Sequence, residues 1–141
     1  MKILSGQCRR QSKLVSTVQC ALDLAPAMAE LCSKTLGQKK SALALAHCQV
    51  DHDDPRRFFV LNDGRIVINP KIIKTIGDPF MHLEGCMSYA FRPDKKVKRF
   101  DIIQVEYTDS NGDLVNEVVH GLEACIFQHE IDHMNGKSIY S

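Results

Sequence analysis

Ten residues near the end of the chain, FQHEIDHMNG from Phe127 to Gly136, constrain its fold more than any other stretch. They hold His129, Glu130 and His133 in the spacing H-E-x-x-H. On a helix that spacing puts two imidazoles on one face, one turn apart, with a carboxylate beside them. The fold must then supply a helix here and bring other groups to meet it. Leu122, Cys125, Ile126 and Ile131 give apolar positions for a helix from Leu122 to about Met134, and Asn135-Gly136 is a common way to end one. Two imidazoles and a carboxylate in this pattern suit a divalent metal with a general base. A catalytic site usually takes three protein ligands and leaves the fourth position to water. The source of the third ligand separates different enzymes.

Downstream candidates fail. One extended pattern reads H-E-x-x-H-x-x-G-x-x-H; Gly136 fits its glycine, but Ile139 stands at its last position. No Asp, Glu, His or Cys follows His133. The third ligand therefore lies upstream. Cys125 and His133 are separated by roughly 12 Å along a helix axis, and metal bonds of about 2.0–2.3 Å cannot join both to one ion. Cys125 reads as a small apolar packing residue. His120 lies too near the helix start, and His82 has no supporting motif. Cys86, in HLEGCMS, is the better candidate. Gly85 before it allows a tight turn or a close approach of backbone to a ligand. A thiolate with two imidazoles suits Fe(II) or Zn(II), although a free cysteine taken alone is more often a core residue.

The rest of the chain reads as a frame for this site. At 141 residues it is expected to form one domain over 1–141. Its 18 basic and 17 acidic residues leave a net charge of +1, which argues against a strong pull toward nucleic acid or an anionic membrane. No apolar run is long enough to span a bilayer. The N-terminal MKILSGQCRR does not read as a secretory signal, so Cys8, Cys20, Cys32, Cys48, Cys86 and Cys125 are expected to be free or metal-ligating in a soluble cytoplasmic protein. A first helix is expected from Val15 to about Leu36, carrying Val18, Leu22, Ala25, Ala29 and Cys32, with a break at Pro26 and a stop at Gly37. The stretch SALALAHCQV reads as a loop leading into a buried strand. FFVLN and RIVINPKII read as strands around Asp63-Gly64, and DIIQVEYTD and LVNEVVHG as a hairpin around Asn111-Gly112. Pro79 and Gly85 punctuate the segment between the hairpins. DSNGDL is too short for a calcium loop and reads as a turn. The order implies an α+β fold: antiparallel strands packed around a central helix bearing H-E-x-x-H, plus an N-terminal helix.

At this point the residues resemble a family. EGCMS is similar to the E-G-C-L-S motif of peptide deformylases, with Met87 for the leucine, and QHEIDHMNG to their Q-H-E-x-D-H-L-x-G motif, with Met134 for the leucine. Their third motif, G-x-G-L-A-A-x-Q, is matched loosely by Ala42 to Gln49. The resemblance implies removal of the formyl group from N-formylmethionyl nascent peptides, near the ribosome, by a monomer that binds neither nucleic acid nor membrane. It implies a metal held by Cys86, His129 and His133, natively Fe(II), with Zn(II), Ni(II) or Co(II) in purified forms, and water in the fourth position. Glu130 would be the general base. The Gln49 side chain and the Met87 backbone N–H would bind the oxyanion. Leu43, Ala44, Gly85, Leu122, Cys125 and Ile126 would contact substrate, and Asp132 would support the ligands; Arg92 is a candidate partner for that carboxylate.

Departures from the family pattern bear on substrate range. Ala42 and Ala44 replace two glycines, and His47 and Cys48 replace small or proline residues. The short form is similar to phage-encoded deformylases. Two rivals keep the metal. A zinc peptidase or amidase would differ in its pocket, and a structural zinc site would need Cys48 or Cys125 as a fourth ligand.

Overall fold

A strand that is apolar at every position needs cover on both faces, and the run from Phe58 to Leu61 is buried throughout. The computed structural model, which describes residues 1–34 and 42–141, shows what covers it. The elements run α1 (Val18–Cys32), β1 (Ala44–Ala46), β2 (Phe58–Leu61), β3 (Ile66–Ile76), β4 (Phe80–Glu84), β5 (Lys95–Arg99), β6 (Ile102–Thr108), β7 (Leu114–His120) and α2 (Gly121–Met134). Five strands form an antiparallel sheet in the order β1-β2-β3-β6-β7. Leu45, Phe58, Val60 and Ile68 face α1, meeting Ala21, Ala25, Met28 and Cys32. Ala44, Ala46, Phe59, Leu61, Val67, Ile103 and Val105 face α2, meeting Ala124, Phe127, Ile131 and Met134. The result is three layers, helix on sheet on helix. Phe58, Phe59 and Phe127 are almost wholly buried, each worth roughly 1.5–3 kcal/mol.

The N-terminal helix is present, with three differences from expectation. Pro26 does not break it; the ring lies on the exposed side, where the unbonded carbonyl one turn back can turn toward water. The buried face is Ala21, Ala25, Met28 and Cys32, whereas Leu22 and Ala29 are only partly covered. The helix is also shorter than the expected Val15 to Leu36, since Thr17 is extended and caps the start and Ser33 caps the end; Gly37 itself lies outside the described residues.

Both expected hairpins form. β3 is longer than the sequence pattern suggested because two register shifts let it run through Pro70. Asn69 takes φ +52° there, and its side chain accepts the Val15 N–H at 2.7 Å and donates to the Val15 carbonyl at 3.0 Å. The irregularity thus frees proline from the ladder and ties the N-terminal segment to the sheet.

A second, two-stranded sheet was not foreseen. β4 pairs with β5, Phe80 opposite Arg99 and Glu84 opposite Lys95. Much of this ribbon is exposed, so it carries no clean apolar alternation. It holds the site's outer wall over α2. That helix ends at Met134, whose carbonyl accepts the Ser12 N–H at 2.8 Å. Gly136 follows at φ +80°, with Arg9 O 2.8 Å from where a Cβ would sit. No helix among the described residues is long and apolar enough to cross a membrane.

Candidate metal centre

The helical spacing does what the sequence required. His129 and His133 present their Nε2 atoms 3.2 Å apart, with ring centroids 4.9 Å apart. Cys86 leaves the end of β4 and brings Sγ to 3.2 Å from His133 Nε2. One donor atom from each of the three lies within 4.8 Å of the others. Donors held about 2.0–2.3 Å from a tetrahedral ion stand roughly 3.3–3.8 Å from one another, so the cluster is sized for one.

The charges also favour a cation. Burial alone would push His129 down, but the Cys86 sulfur and the Glu84 carboxylate beside it hold it up to about 10. A pocket that attracts a proton so strongly attracts a divalent ion for the same reason. Burial, and then the neighbouring His129, push His133 well below its ordinary value, which keeps a lone pair available.

Glu84 organises the outer layer. Its Oε1 accepts from His129 Nδ1 at 2.8 Å and Arg99 Nη2 at 2.8 Å. Its Oε2 accepts from Arg99 Nε at 2.8 Å and His82 Nδ1 at 2.9 Å. Burial opposes the charge, but the His129 and Arg99 bonds outweigh it and hold the carboxyl at about 2. His82, Glu84 and Cys125 also bring donor atoms within 4.8 Å of one another. With both carboxylate oxygens already engaged twice, that group reads as a hydrogen-bond hub and not as a second metal site. Arg99 continues to Asp132 Oδ2 at 2.9 Å. The partner of Asp132 is therefore Arg99, and Arg92 lies over the Tyr140 ring, 3.7 Å from its centroid.

Glu130 is 3% exposed, and its Oε2 has no hydrogen-bond partner among the described residues. Burial pushes its carboxyl up to about 7. An orphaned buried oxygen costs stability and marks a place where a ligand group belongs. Gln49 sits on a 3₁₀ turn, His47–Gln49. Its Oε1 accepts the Ala46 N–H at 2.9 Å, and its Nε2 lies 3.0 Å from Ser88 Oγ and 3.6 Å from Cys86 Sγ. The amide is thus oriented with its donor toward the cluster. Met87 begins a second 3₁₀ turn, Met87–Tyr89, whose internal bonding starts only with Tyr89 N–H to Cys86 O at 3.0 Å.

These groups open into a cleft of about 470 Å³. Leu43, Ala44, Gly85, Leu122, Cys125 and Ile126 all line it, together with Gln49, Cys86, Met87, His129 and Glu130. Leu43 and Leu122 stand at the mouth, about half exposed. Ala42 and Ala44 have no left-handed backbone, so alanine is accommodated there without strain. Gly85 also lies outside the left-handed region; the turn reading for it is not needed. Neither Cys48 nor Cys125 joins Cys86, His129 and His133 in a common donor group. Sequence reading passed over Glu84, Arg99, His82 and Ser88. Glu84 had a signal, as the acid of EGCMS; a charged residue such as Arg99, in a run of exposed lysines, had none.

A cysteine sulfur, two imidazoles one helical turn apart and a buried free carboxylate make up a donor set of the kind that mononuclear metal centres use. Relatives narrow it. A family model described as polypeptide deformylase matches residues 5–141. The peptide deformylase of Psychrobacter arcticus is 38% identical over 100 residues, 67% of this chain and 53% of that protein. Peptide deformylase 1 of Bifidobacterium longum is 33% identical over 133 residues, 92% of this chain and 58% of that one. The crystal structure of the Thermotoga maritima peptide deformylase superposes with a TM-score of 0.86 at 29% identity, covering 99% of this chain and 94% of that one. The deformylase of the Vibrio parahaemolyticus bacteriophage VP16T, in complex with actinonin, gives 0.85 at 28% identity, with 98% and 99% covered. The chain belongs to the peptide deformylase family. It spans about half the length of the curated relatives it matches.

Proposed function

We propose that this chain removes the formyl group from N-formylmethionyl peptides, releasing formate. One observation supports the reading most: the unpartnered Oε2 of Glu130 stands in the same cleft as three convergent donors and the Gln49 amide. Cys86, His129 and His133 would hold the metal, Fe(II) by the family pattern, with Zn(II), Ni(II) or Co(II) as substitutes. When bound there, such an ion supplies a Lewis acid and lowers the pKa of coordinated water toward neutrality.

The remaining work falls to the chain. Glu130 takes the proton of the attacking water at its free oxygen and delivers it to the leaving amine. Burial suits it to both halves, since a carboxyl held near 7 both accepts and releases a proton readily. Gln49 Nε2 and the Met87 N–H receive the negative charge that develops on the formyl oxygen, each donor worth about 3–4 kcal/mol in the transition state. Gln49 needs no reorganisation, because Ala46 and Ser88 already fix its amide. Leu43, Ala44, Leu122, Cys125 and Ile126 offer an apolar wall to the methionine side chain, with Gly85 beside the peptide backbone. By resemblance to the family, the proposal has the enzyme working in the bacterial cytoplasm, as a monomer on nascent chains near the ribosome.

The test is formate release from a formyl-Met tripeptide by protein purified without oxygen and loaded with Fe(II), beside Glu130→Gln. Release that drops about 10²–10⁴-fold in the variant, with the metal content kept, supports the reading. Absence of release from folded, metal-loaded protein overturns it.

A further inference from the structure

We propose that His82 determines the side-chain specificity of the cleft, its imidazole ring contacting the thioether sulfur of the substrate's first residue. The inference rests on the deformylase reading above. Aliphatic walls such as Leu43, Leu122 and Ile126 enclose a methionine and a norleucine side chain alike, since the two differ only by sulfur against methylene. A polarizable or aromatic neighbour is needed to tell them apart. Sulfur gains from an aromatic ring about 5 Å away, most often at the ring edge.

His82 meets that description. It lines the cleft together with Leu122, Cys125 and Ile126. A ring nitrogen lies within 4.8 Å of the Cys125 Sγ and a Glu84 oxygen. Of the residues lining the cleft, the only other ring is His129, whose two nitrogens are committed to Glu84 and to the donor cluster. The His82 ring is also held in place. Nδ1 donates to Glu84 Oε2 at 2.9 Å, and Phe80 packs edge-on at 5.9 Å between centroids. Glu84 cannot turn to follow a moving imidazole, because Arg99 grips both its oxygens. A fixed ring costs little to order when the substrate arrives. The side chain is 29% exposed, so the ring is neither sealed in the core nor free in solvent.

The test compares kcat/KM for formyl-Met-Ala-Ser with that for formyl-norleucine-Ala-Ser in the native chain, His82→Leu and His82→Phe. The native chain is expected to favour methionine by roughly two- to tenfold. His82→Leu should bring the ratio near one, and His82→Phe, which keeps a ring without the Nδ1 bond, should retain most of the preference. If the ring acts only by bracing Glu84, both variants lower kcat for both peptides equally and the ratio stays put, which overturns the proposal. A native ratio near one overturns it without any variant. No formate from either peptide removes the deformylase reading and this inference with it, whereas release at an unmoved ratio removes the inference alone.

Discussion

Glu84 Oε1 lies 2.8 Å from His129 Nδ1, a bond between residues 45 positions apart. A carboxylate held in its charged form can only accept here. The Nδ1 proton is therefore the one His129 keeps, and Nε2, turned toward Cys86 and His133, is where an ion would displace a proton. A ligand whose tautomer and ring plane are set in advance binds its ion more tightly. Arg99 and Asp132 extend the same chain of bonds to the next turn of α2.

Glu84→Gln tests this relay. The variant keeps the shape of the side chain but loses the charge that holds the Nδ1 proton. Metal affinity is expected to fall about 10- to 100-fold, read by competition with a chromophoric chelator. An affinity within twofold of native would show that the helix alone orients His129.

Gln128 precedes the first histidine and faces away from the cluster. Its Oε1 accepts the Phe100 N–H at 2.9 Å, and its Nε2 donates to the Phe100 carbonyl at 2.8 Å. It thus clamps the link between β5 and β6 onto α2. Gln128→Leu strands both backbone groups and should cost about 1–3 kcal/mol, measured as a lower urea midpoint at unchanged slope.

Gly136→Ala should destabilise by a similar amount for a different reason. The position needs a left-handed backbone, about 1–3 kcal/mol for a residue with a Cβ, and that Cβ would meet the Arg9 carbonyl at 2.8 Å. Thermal unfolding would report it. An unchanged midpoint would mean that the Arg9 segment moves aside freely.

His47 supplies a pH dependence. Its Nδ1 accepts the Arg56 N–H at 2.9 Å, and its ring stacks on Phe58 with centroids 5.2 Å apart. Burial pushes its pKa below the ordinary 6.5; Asp51 and Asp54 pull it back up and Arg56 pushes it further down. The unfolded chain thus takes up a proton at a higher pH than the folded one does. This contribution to stability is present above about 6.5 and is lost as pH falls through the depressed folded value. His47→Asn, which still offers an acceptor to Arg56, should lack that loss. The gap in unfolding free energy between native and variant is expected to shrink as pH drops from about 7 to 5. A gap independent of pH would remove His47 as the cause.

What could be read in advance follows from range. His129, Glu130 and His133 lie within one helical turn, so spacing alone announced their geometry. The hairpins at Asp63-Gly64 and Asn111-Gly112 carry their own turn chemistry. Cys86 was reached by eliminating downstream ligands and by resemblance, because nothing local joins it to His129, 43 residues on. The β4–β5 ribbon was missed because its residues are mostly exposed and show no apolar period. The Asp132 partner was assigned to Arg92 when it is Arg99: choosing among distant arginines requires knowing which strand passes over the helix. The buried face of α1 was misphased because alanine and cysteine, small enough for either side, give the periodicity little contrast.

The Cys86–His133 approach joins points 47 residues apart. An ion held there is a cross-link as well as a reagent. Tying a loop of that length restricts the unfolded chain by about 4 kcal/mol, on the same chain-entropy scale that describes a disulfide. It does so with bonds that a chelator can remove. The ribbon bearing Cys86 and the helix bearing His133 would then be held together most firmly in the form of the protein that is ready to react.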